Sequence, residues 1–357
     1  MNKIVVVGAG KTGRGFIGRL LAEGKQEVLF VDKDKNLVQQ LNDAGEFKVH
    51  FFGNVREPMP IRNFRAATWE NADIRDAELI IVSVGGQNLK DVGQQLKLAL
   101  DPQKHYTIIT AENASKPSQT LREAIGLENI SVSEATVFCT TIEKSGLDIN
   151  SENYPYLQCD ADLLEGYVLP VEQIRAIGNF SNFLTRKLYT YNAASCVIAY
   201  MGWLYGYESY GDAANDPRIL ALLDQNYAET NKALCAEFGY DSQDQAEFAQ
   251  LSKNKFCDRT IEDTVARNAR DPQRKLADKE RIMGPMRLIY QYGGDSSVLE
   301  QTCAAGVLYD VDPNWNALKE GLTWEQILEK YCGLCKGEVL FARVTQHIDT
   351  MKILVTK

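Results

Sequence analysis

The chain opens with Ile4-Val5-Val6-Val7-Gly8-Ala9-Gly10-Lys11-Thr12-Gly13, and the reading of these ten residues decides the fold. Four β-branched residues in a row favour a buried strand, the glycines break it at once, and Arg14 to Ala22 continue with the spacing of a helix. A second apolar strand, Glu27 to Val31, ends in Asp32, about twenty residues further on. Strand, Gly-x-Gly-x-x-Gly turn, helix, strand and acid in this register form the dinucleotide-binding fingerprint. Gly8 permits the tight turn, Gly10 lets the backbone approach a pyrophosphate at the helix N-terminus, and Gly13 allows close packing of helix on strand. Lys11 and Thr12 complete the turn, and Asp32 is placed to bind the adenosine ribose hydroxyls. NAD is the expected cofactor, because Asp32 would repel the 2′-phosphate of NADP, a preference that the neighbouring Lys33 softens. The Gly10-Lys11-Thr12 triplet is not a triphosphate loop, which requires a glycine where Val5 stands.

Beyond Asp32 the alternation continues. Asn36 to Asn42 reads as a helix, Phe47 to Phe52 as a strand, and Ala77 to Val84 as a buried strand ending in Gly85-Gly86. Gln87 to Leu98 follows as a helix, Tyr106 to Thr110 as a strand, Lys116 to Ile125 as a helix and Ile130 to Ser133 as a strand. Ligands of such sheets gather at the carboxyl ends of the strands, which singles out Ser83, Gly85 and Glu112 for the cofactor and Asn113 for the place where cofactor and substrate meet. The stretch from Glu134 to Leu169 reads as strand-poor and is expected to extend the sheet, with a handover near Pro170. From Val171 onward the periodic segments read as helical, beginning with Gln173 to Asn182. The expected fold is therefore α/β: an N-terminal Rossmann doubly wound parallel sheet over residues 1–175, then an all-helical C-terminal domain over residues 176–357 that carries the substrate and the catalysis.

With 357 residues the chain is long enough for two cores, and 45% hydrophobic with 24% charged residues is the composition of an ordinary globular protein. A net charge of -9 offers no basic field for nucleic acid or an anionic membrane, so the expected partner is a small molecule held by a local cluster. The short apolar run at the N-terminus reads as a strand and not as an export signal. Eight cysteines scattered through such a chain suggest reduced thiols and a cytoplasmic location, and the lone Cys332-Gly333-Leu334-Cys335 reads as incidental thiols and not as a metal site.

The second half turns on Phe180 to Tyr205, a proline-free stretch with helical apolar spacing that reads as one long buried helix. At about 100° per residue, Ser195 lies about 80° around the axis from Lys187 and Asn192 about 140°, so all three can face one cleft. Burial would lower the pKa of Lys187 and make it a usable general base near neutrality, while Asn192 can donate to a substrate oxygen. Snorkelling at a helix edge is the alternative for the lysine. A second cluster, Arg267-Asn268-Ala269-Arg270-Asp271-Pro272-Gln273-Arg274-Lys275-Leu276, offers planar donors for phosphate or carboxylate, and Asp271-Pro272 suits a helix start. A solvated basic face is the alternative reading there.

Taken together these motifs resemble the polyol-specific long-chain dehydrogenase family. The similarity runs through Gly8-Ala9-Gly10-Lys11-Thr12-Gly13-Arg14-Gly15-Phe16-Ile17-Gly18, Phe47-Lys48-Val49-His50, Glu112-Asn113 and Arg270-Asp271-Pro272-Gln273-Arg274-Lys275-Leu276. It is most specific at Lys187-x4-Asn192-x2-Ser195, where the family signature reads Lys-x4-Asn-x2-His. The resemblance implies an NAD-dependent oxidoreductase that interconverts a sugar alcohol, mannitol 1-phosphate or a related polyol phosphate, and its ketose without a metal. It implies Lys187 as base, Asn113 and Asn192 as groups that polarise the reacting oxygen, Ser195 in the place of the signature histidine, and Arg267 and Lys275 at the substrate; Arg270 and Arg274 of the same basic cluster are expected to join them in holding an anionic group. Two departures stand out: that serine, and Ala135-Thr136-Val137-Phe138 where the phosphate-polyol members carry an Asp-Arg pair. Oxidoreduction of a hexonate of the mannonate or altronate type and a dinucleotide-binding homologue without turnover are the alternative functions.

Overall fold

Lys3–Val7 (β1) runs through the first unit with Ile4, Val5, Val6 and Val7 all fully buried. Its side chains alternate between two apolar layers: Ile4 and Val6 join Phe30, Leu79 and Ile81, whereas Val5 and Val7 join Val31, Ile80 and Val82. A strand buried on both faces is what a doubly wound sheet requires. The computed structural model describes residues 3–355, and the chain divides into one compact unit ending at Ser181 and another beginning at Asn182.

Twelve strands are present among the described residues, all in the first unit. After β1 come Val28–Val31 (β2), Phe47–Phe51 (β3), Met59–Ile61 (β4), Phe64–Ala67 (β5) and Ala77–Val82 (β6). Then follow Tyr106–Ala111 (β7), Ile130–Thr136 (β8), Thr141–Glu143 (β9), Ile149–Ser151 (β10), Leu157–Asp160 (β11) and Ile174–Ile177 (β12). The main sheet has the order β12-β11-β8-β7-β6-β1-β2-β5, parallel from β5 through β8, with β11 antiparallel to β8. This is the expected Rossmann sheet.

Three sequence expectations need correction here. The strand at Phe47–Phe51 does not continue the main sheet. It pairs in parallel with β10, Val49 opposite Ile149, in a separate sheet of order β4-β3-β10-β9. The stretch from Glu134 to Leu169 is not strand-poor, since β9, β10 and β11 all lie within it; through β11 it does extend the main sheet. The expected helix from Gln173 to Asn182 is replaced at its start by β12, which pairs in parallel with β11. Gly178 and Asn179, the latter with φ +50°, separate β12 from the helix that begins at Phe180. Isoleucines at both ends of a four-residue run suit an edge strand, and their apolar spacing mimics one helical turn.

The second unit is helical throughout its described residues. Its centre is Ala193–Leu204, in which every residue from Ala193 to Gly202 except Ser195 is buried. Around it lie Pro217–Phe238, Ser242–Cys257, Met283–Gln291, Ser297–Leu308, Trp324–Cys332 and Val339–Val355. The aspartates Asp216, Asp241 and Asp312 accept backbone N–H groups at the starts of three helices, the capping that this residue type favours. Three short helices had no sequence signal: Tyr210–Ala214, Val265–Ala269 and Pro313–Lys319. Among the described residues no helix is long and apolar enough to cross a membrane.

Candidate active site

In the first unit the site is built where β1 and β6 end. Gly8 has φ +99°, and a Cβ there would lie 2.0 Å from the Ser83 carbonyl oxygen. A Cβ at Gly13 would lie 1.9 Å from the Gly8 carbonyl oxygen. Both positions therefore exclude any side chain. At Gly10 a Cβ would meet no atom of the chain within 4 Å. That opening is the cradle a pyrophosphate would need, so the turn fits a dinucleotide. The helix after it starts as a wide π-turn, Gly13–Gly18, before Arg19–Glu23 continues it.

Two charged side chains grip Ala9 between the glycines. Asp32 accepts from the Ala9 N–H at 2.6 Å and from the Asp34 N–H at 2.9 Å. The buried Arg14 guanidinium donates to the Ala9 carbonyl, and burial lowers its pKa against the opposing pull of Glu143 and Asp32. Lys11 is exposed, and the Thr12 hydroxyl lies 3.2 Å from that of Thr141 in β9. Across the sheet Glu112 accepts from the Val84 and Gly85 N–H groups at 2.5 and 2.8 Å, shaping the loop after β6. Burial raises its pKa, opposed by these two donors. Asn113 is bound to the Val137 peptide in both directions, donating to its carbonyl at 2.8 Å and accepting from its N–H at 3.1 Å. His50 in β3 lies 3.0 Å from the Asp148 carboxylate and 3.1 Å from the Lys144 ammonium.

In the second unit the expected single helix is interrupted. Phe180–Lys187 is α-helical, Leu188–Asn192 is a π-turn, and Ala193–Leu204 resumes the α-helix. A π-turn takes up one extra residue and so sets everything after it back by about 100°. Asn192 then falls about 40° from Lys187 and Ser195 about 20° on the other side, so the three share one face more closely than an unbroken helix allows. Such turns are frequent at functional sites.

A buried polar network holds the turn. The Gln245 amide, fully buried, accepts from Arg186 Nε at 2.6 Å and donates to the Thr190 hydroxyl at 3.2 Å and to Asn231 at 2.8 Å. Arg186 also pairs with Asp244 at 2.7 Å and lies over the rings of Tyr240 and Phe248. Lys187, next to Arg186, has its pKa pushed down to about 7 by burial first, then by the like charges of Lys255 and Arg281. Ser195 is half-buried and accepts from the Tyr210 hydroxyl at 3.1 Å.

The basic cluster does not form one environment. Arg267 is exposed and paired with Asp263 at 2.8 Å, Arg274 is half-exposed and paired with Asp271 at 2.6 Å, and Arg270 is exposed. Lys275 alone is buried, donating to the Asn268 carbonyl, with its pKa lowered by burial and Cys196 as the largest influence opposing that shift. The helix expected from Asp271-Pro272 spans only Pro272–Lys275, too short to hold an anion by its amides. Cys332 is buried, Cys335 is exposed, and both are free thiols, as are the other six. Gln245, Lys255 and Arg281 carried no sequence signal, since each lies far along the chain from the helix it serves, and Tyr210, 15 residues from Ser195, begins a short helix that no motif marks.

A dinucleotide turn on a doubly wound sheet, followed by a helical unit, is the architecture of a two-unit protein of the dinucleotide-binding class. The chain belongs to the mannitol dehydrogenase family: the model of the mannitol dehydrogenase Rossmann domain matches residues 2–142, and that of the mannitol dehydrogenase C-terminal domain matches residues 179–331. It is 27% identical to a mannitol-1-phosphate 5-dehydrogenase of Caldanaerobacter subterraneus subsp. tengcongensis over 89% of each chain. It is 26% identical to that of Thermoanaerobacter pseudethanolicus, over 99% of this chain and 98% of the other. Two solved structures share the fold. A D-sorbitol dehydrogenase in substrate-free form has a TM-score of 0.78 at 13% identity, covering 99% of this chain and 93% of the other. The Pseudomonas fluorescens mannitol 2-dehydrogenase, solved as a ternary complex with NAD and D-mannitol, has a TM-score of 0.65 at 13% identity, covering 100% and 94%. Membership makes the chain an oxidoreductase acting on CH–OH groups.

The glycines of the turn separate stability from binding. Gly13→Ala is expected to cost about 1 to 3 kcal/mol in urea denaturation, as overpacking against backbone does. Gly10→Ala is expected to stay within about 0.5 kcal/mol of the parent, yet to weaken dinucleotide binding measurably in a fluorescence titration. Equal stabilities for the two variants would contradict the geometry of the turn.

Proposed function

We propose that the chain is an NAD-dependent polyol dehydrogenase that interconverts mannitol 1-phosphate, or a related polyol phosphate, and its ketose. One observation carries the reading: Lys187, its pKa pushed down to about 7, shares a helix face with Asn192 and Ser195 across the π-turn. A lysine so poised is half deprotonated near neutrality and accepts the proton of an alcohol. Asn192 and Ser195 donate to the developing alkoxide, which removes much of the cost of its charge. The role that the resemblance implies for Asn113 is to polarise the reacting oxygen. The turn Gly8 to Gly13 with Asp32 would hold the dinucleotide, which supplies the hydride acceptor. Ser83, Gly85 and Glu112 shape the neighbouring strand end. Lys275 is the strongest of the four cluster residues for an anionic substrate group, being buried and within electrostatic reach of Cys196, one residue from Ser195. Arg267, Arg270 and Arg274 then form an outer basic rim.

NAD is expected to bind tighter than NADP, because the Asp32 carboxylate is held in place by two backbone N–H groups and cannot swing away from a 2′-phosphate. Equal or tighter NADP(H) binding would sink that assignment. In a panel of mannitol 1-phosphate, mannitol and mannonate, the phosphate is expected to exceed mannitol in kcat/KM by about tenfold to a hundredfold, the worth of a charge-assisted contact. A faster mannonate would point to a hexonate enzyme, and no turnover on any member to a binding protein.

The base has a sign. Because the Lys187 pKa is depressed, kcat/KM for alcohol oxidation should rise with pH and level off above about 7, while ketose reduction, which needs the ammonium, should fall over the same range. Lys255→Gln removes a like charge and should move both limbs to higher pH. Lys187→Ala should lower turnover by about a hundredfold or more with dinucleotide affinity unchanged. An active Lys187→Ala enzyme would mean that the base lies elsewhere.

A further inference from the structure

Ser195 has a partner that no motif announces. The Tyr210–Ala214 helix is seated against Ala193–Leu204 at small residues: a Cβ on Gly202 would come within 2.9 Å of the Ala213 Cβ and 3.1 Å of Val265. Gly202 lies two turns beyond Ser195, so this close approach delivers the first residue of the short helix to the serine. Tyr210 is buried, its ring lies edge-on to Phe256 at 6.0 Å, and its backbone N–H is tied to the Asp263 carbonyl at 3.0 Å. Thus fixed at ring and backbone, its hydroxyl donates to Ser195 Oγ at 3.1 Å.

We propose that Tyr210 is a positioning residue of the reaction: by donating to the Ser195 oxygen it directs the serine's own O–H to hydrogen-bond the reacting oxygen of the polyol. A serine hydroxyl has one proton and two lone pairs and rotates to suit its surroundings. With one lone pair taken by a rigid donor, that rotation is narrowed and the serine acts as a donor on the face it shares with Lys187 and Asn192. Burial holds the Tyr210 pKa well above the ordinary tyrosine value, so the phenol stays a donor through the working range of pH. No proton is transferred by either hydroxyl: the alcohol proton goes to Lys187 and the hydride to the dinucleotide. The inference rests on the proposed function, in which Ser195 faces the reacting oxygen. The pair also occupies the room beside position 195, so an imidazole introduced there would have to displace the tyrosine hydroxyl.

The test is steady-state kinetics with NAD on whichever of mannitol 1-phosphate, mannitol and mannonate the enzyme turns over fastest. Tyr210→Phe and Ser195→Ala are each expected to lower kcat about tenfold, with KM within about threefold and NAD affinity unchanged by titration. The double variant is expected to be no slower than Ser195→Ala alone, since both changes remove one and the same donor. Ser195→Thr keeps the hydroxyl and should retain most of kcat, and Ser195→His should lower it. If Tyr210→Phe loses its thermal midpoint, Tyr210→Gln, which keeps a donor, is compared with Tyr210→Met, which does not, and the glutamine variant should be the faster. Parental kcat in Tyr210→Phe, additive losses in the double variant, a faster Ser195→His enzyme, or equal Gln and Met variants would overturn the proposal. Full activity in both Ser195→Ala and Lys187→Ala would instead overturn the reading of the site itself.

Discussion

Gln245 joins Arg186, before the π-turn, to Thr190, inside it, and both bonds are made where water does not reach. An interior amide or hydroxyl left unpaired costs about 1 to 3 kcal/mol, so a network of this kind is either complete or the helix rearranges. The wide turn is therefore not a local preference of Leu188–Asn192 but a condition imposed from the Ser242–Cys257 helix. Everything chemical in the second unit follows from it. The extra residue rotates Asn192 and Ser195 toward the azimuth of Lys187, and it is set next to Arg186, whose guanidinium is locked by Asp244 and two aromatic rings. The lysine itself is left in surroundings where burial and two like charges disfavour its ammonium form. A depressed pKa is here the product of packing, and the packing is held by an uncharged side chain.

The first unit uses its charges differently. Asp32 and Arg14 take hold of the N–H and the carbonyl of the same residue, Ala9, so the turn between Gly8 and Gly10 is clamped from both sides. Glu112 holds the loop after β6 by accepting from two successive N–H groups, and Asn113 holds both the N–H and the carbonyl of Val137 just after β8. Residues that a motif assigns to a ligand are thus already engaged with backbone. That is preorganisation: donors and acceptors fixed before a ligand arrives need not be ordered on binding.

How legible this was in the sequence depends on distance along the chain. The dinucleotide turn was readable because its parts lie within about thirty residues and each has its own constraint; Gly8 and Gly13 do meet backbone where a Cβ would stand. The long helices were readable because three or more turns repeat one period. Short elements escaped. Four residues from Ile174 to Ile177 look alike as one helical turn and as an edge strand, and only pairing with β11 decides between them. The π-turn left no trace, since Leu188 to Asn192 keep an apolar spacing close to that of an α-helix and the reason for the turn, Gln245, stands 55 residues from Thr190. Ser195 could be seen as a departure from the signature, but not that Tyr210 had come to meet it. The basic run could be seen as charge, but not that Asp263 and Asp271 would engage two of its arginines.

The small sheet beside the dinucleotide turn has a further consequence. Its two halves are joined in the ladder by the parallel pairing of β3 with β10, Val49 with Ile149, and Ile149 is the side chain that a Cβ on Gly15 would strike. On a ribosome adding about 5 to 20 residues per second, β3 waits roughly 5 to 20 seconds for that partner. Through this interval Phe47, Val49 and Phe51, all buried in the finished protein, belong to a strand with one edge unpaired. Non-local pairing of this kind is slow and exposed to aggregation. The helix that follows the turn thus reaches its final surroundings only after β10 has been made, which makes completion of the cofactor site a late event in synthesis.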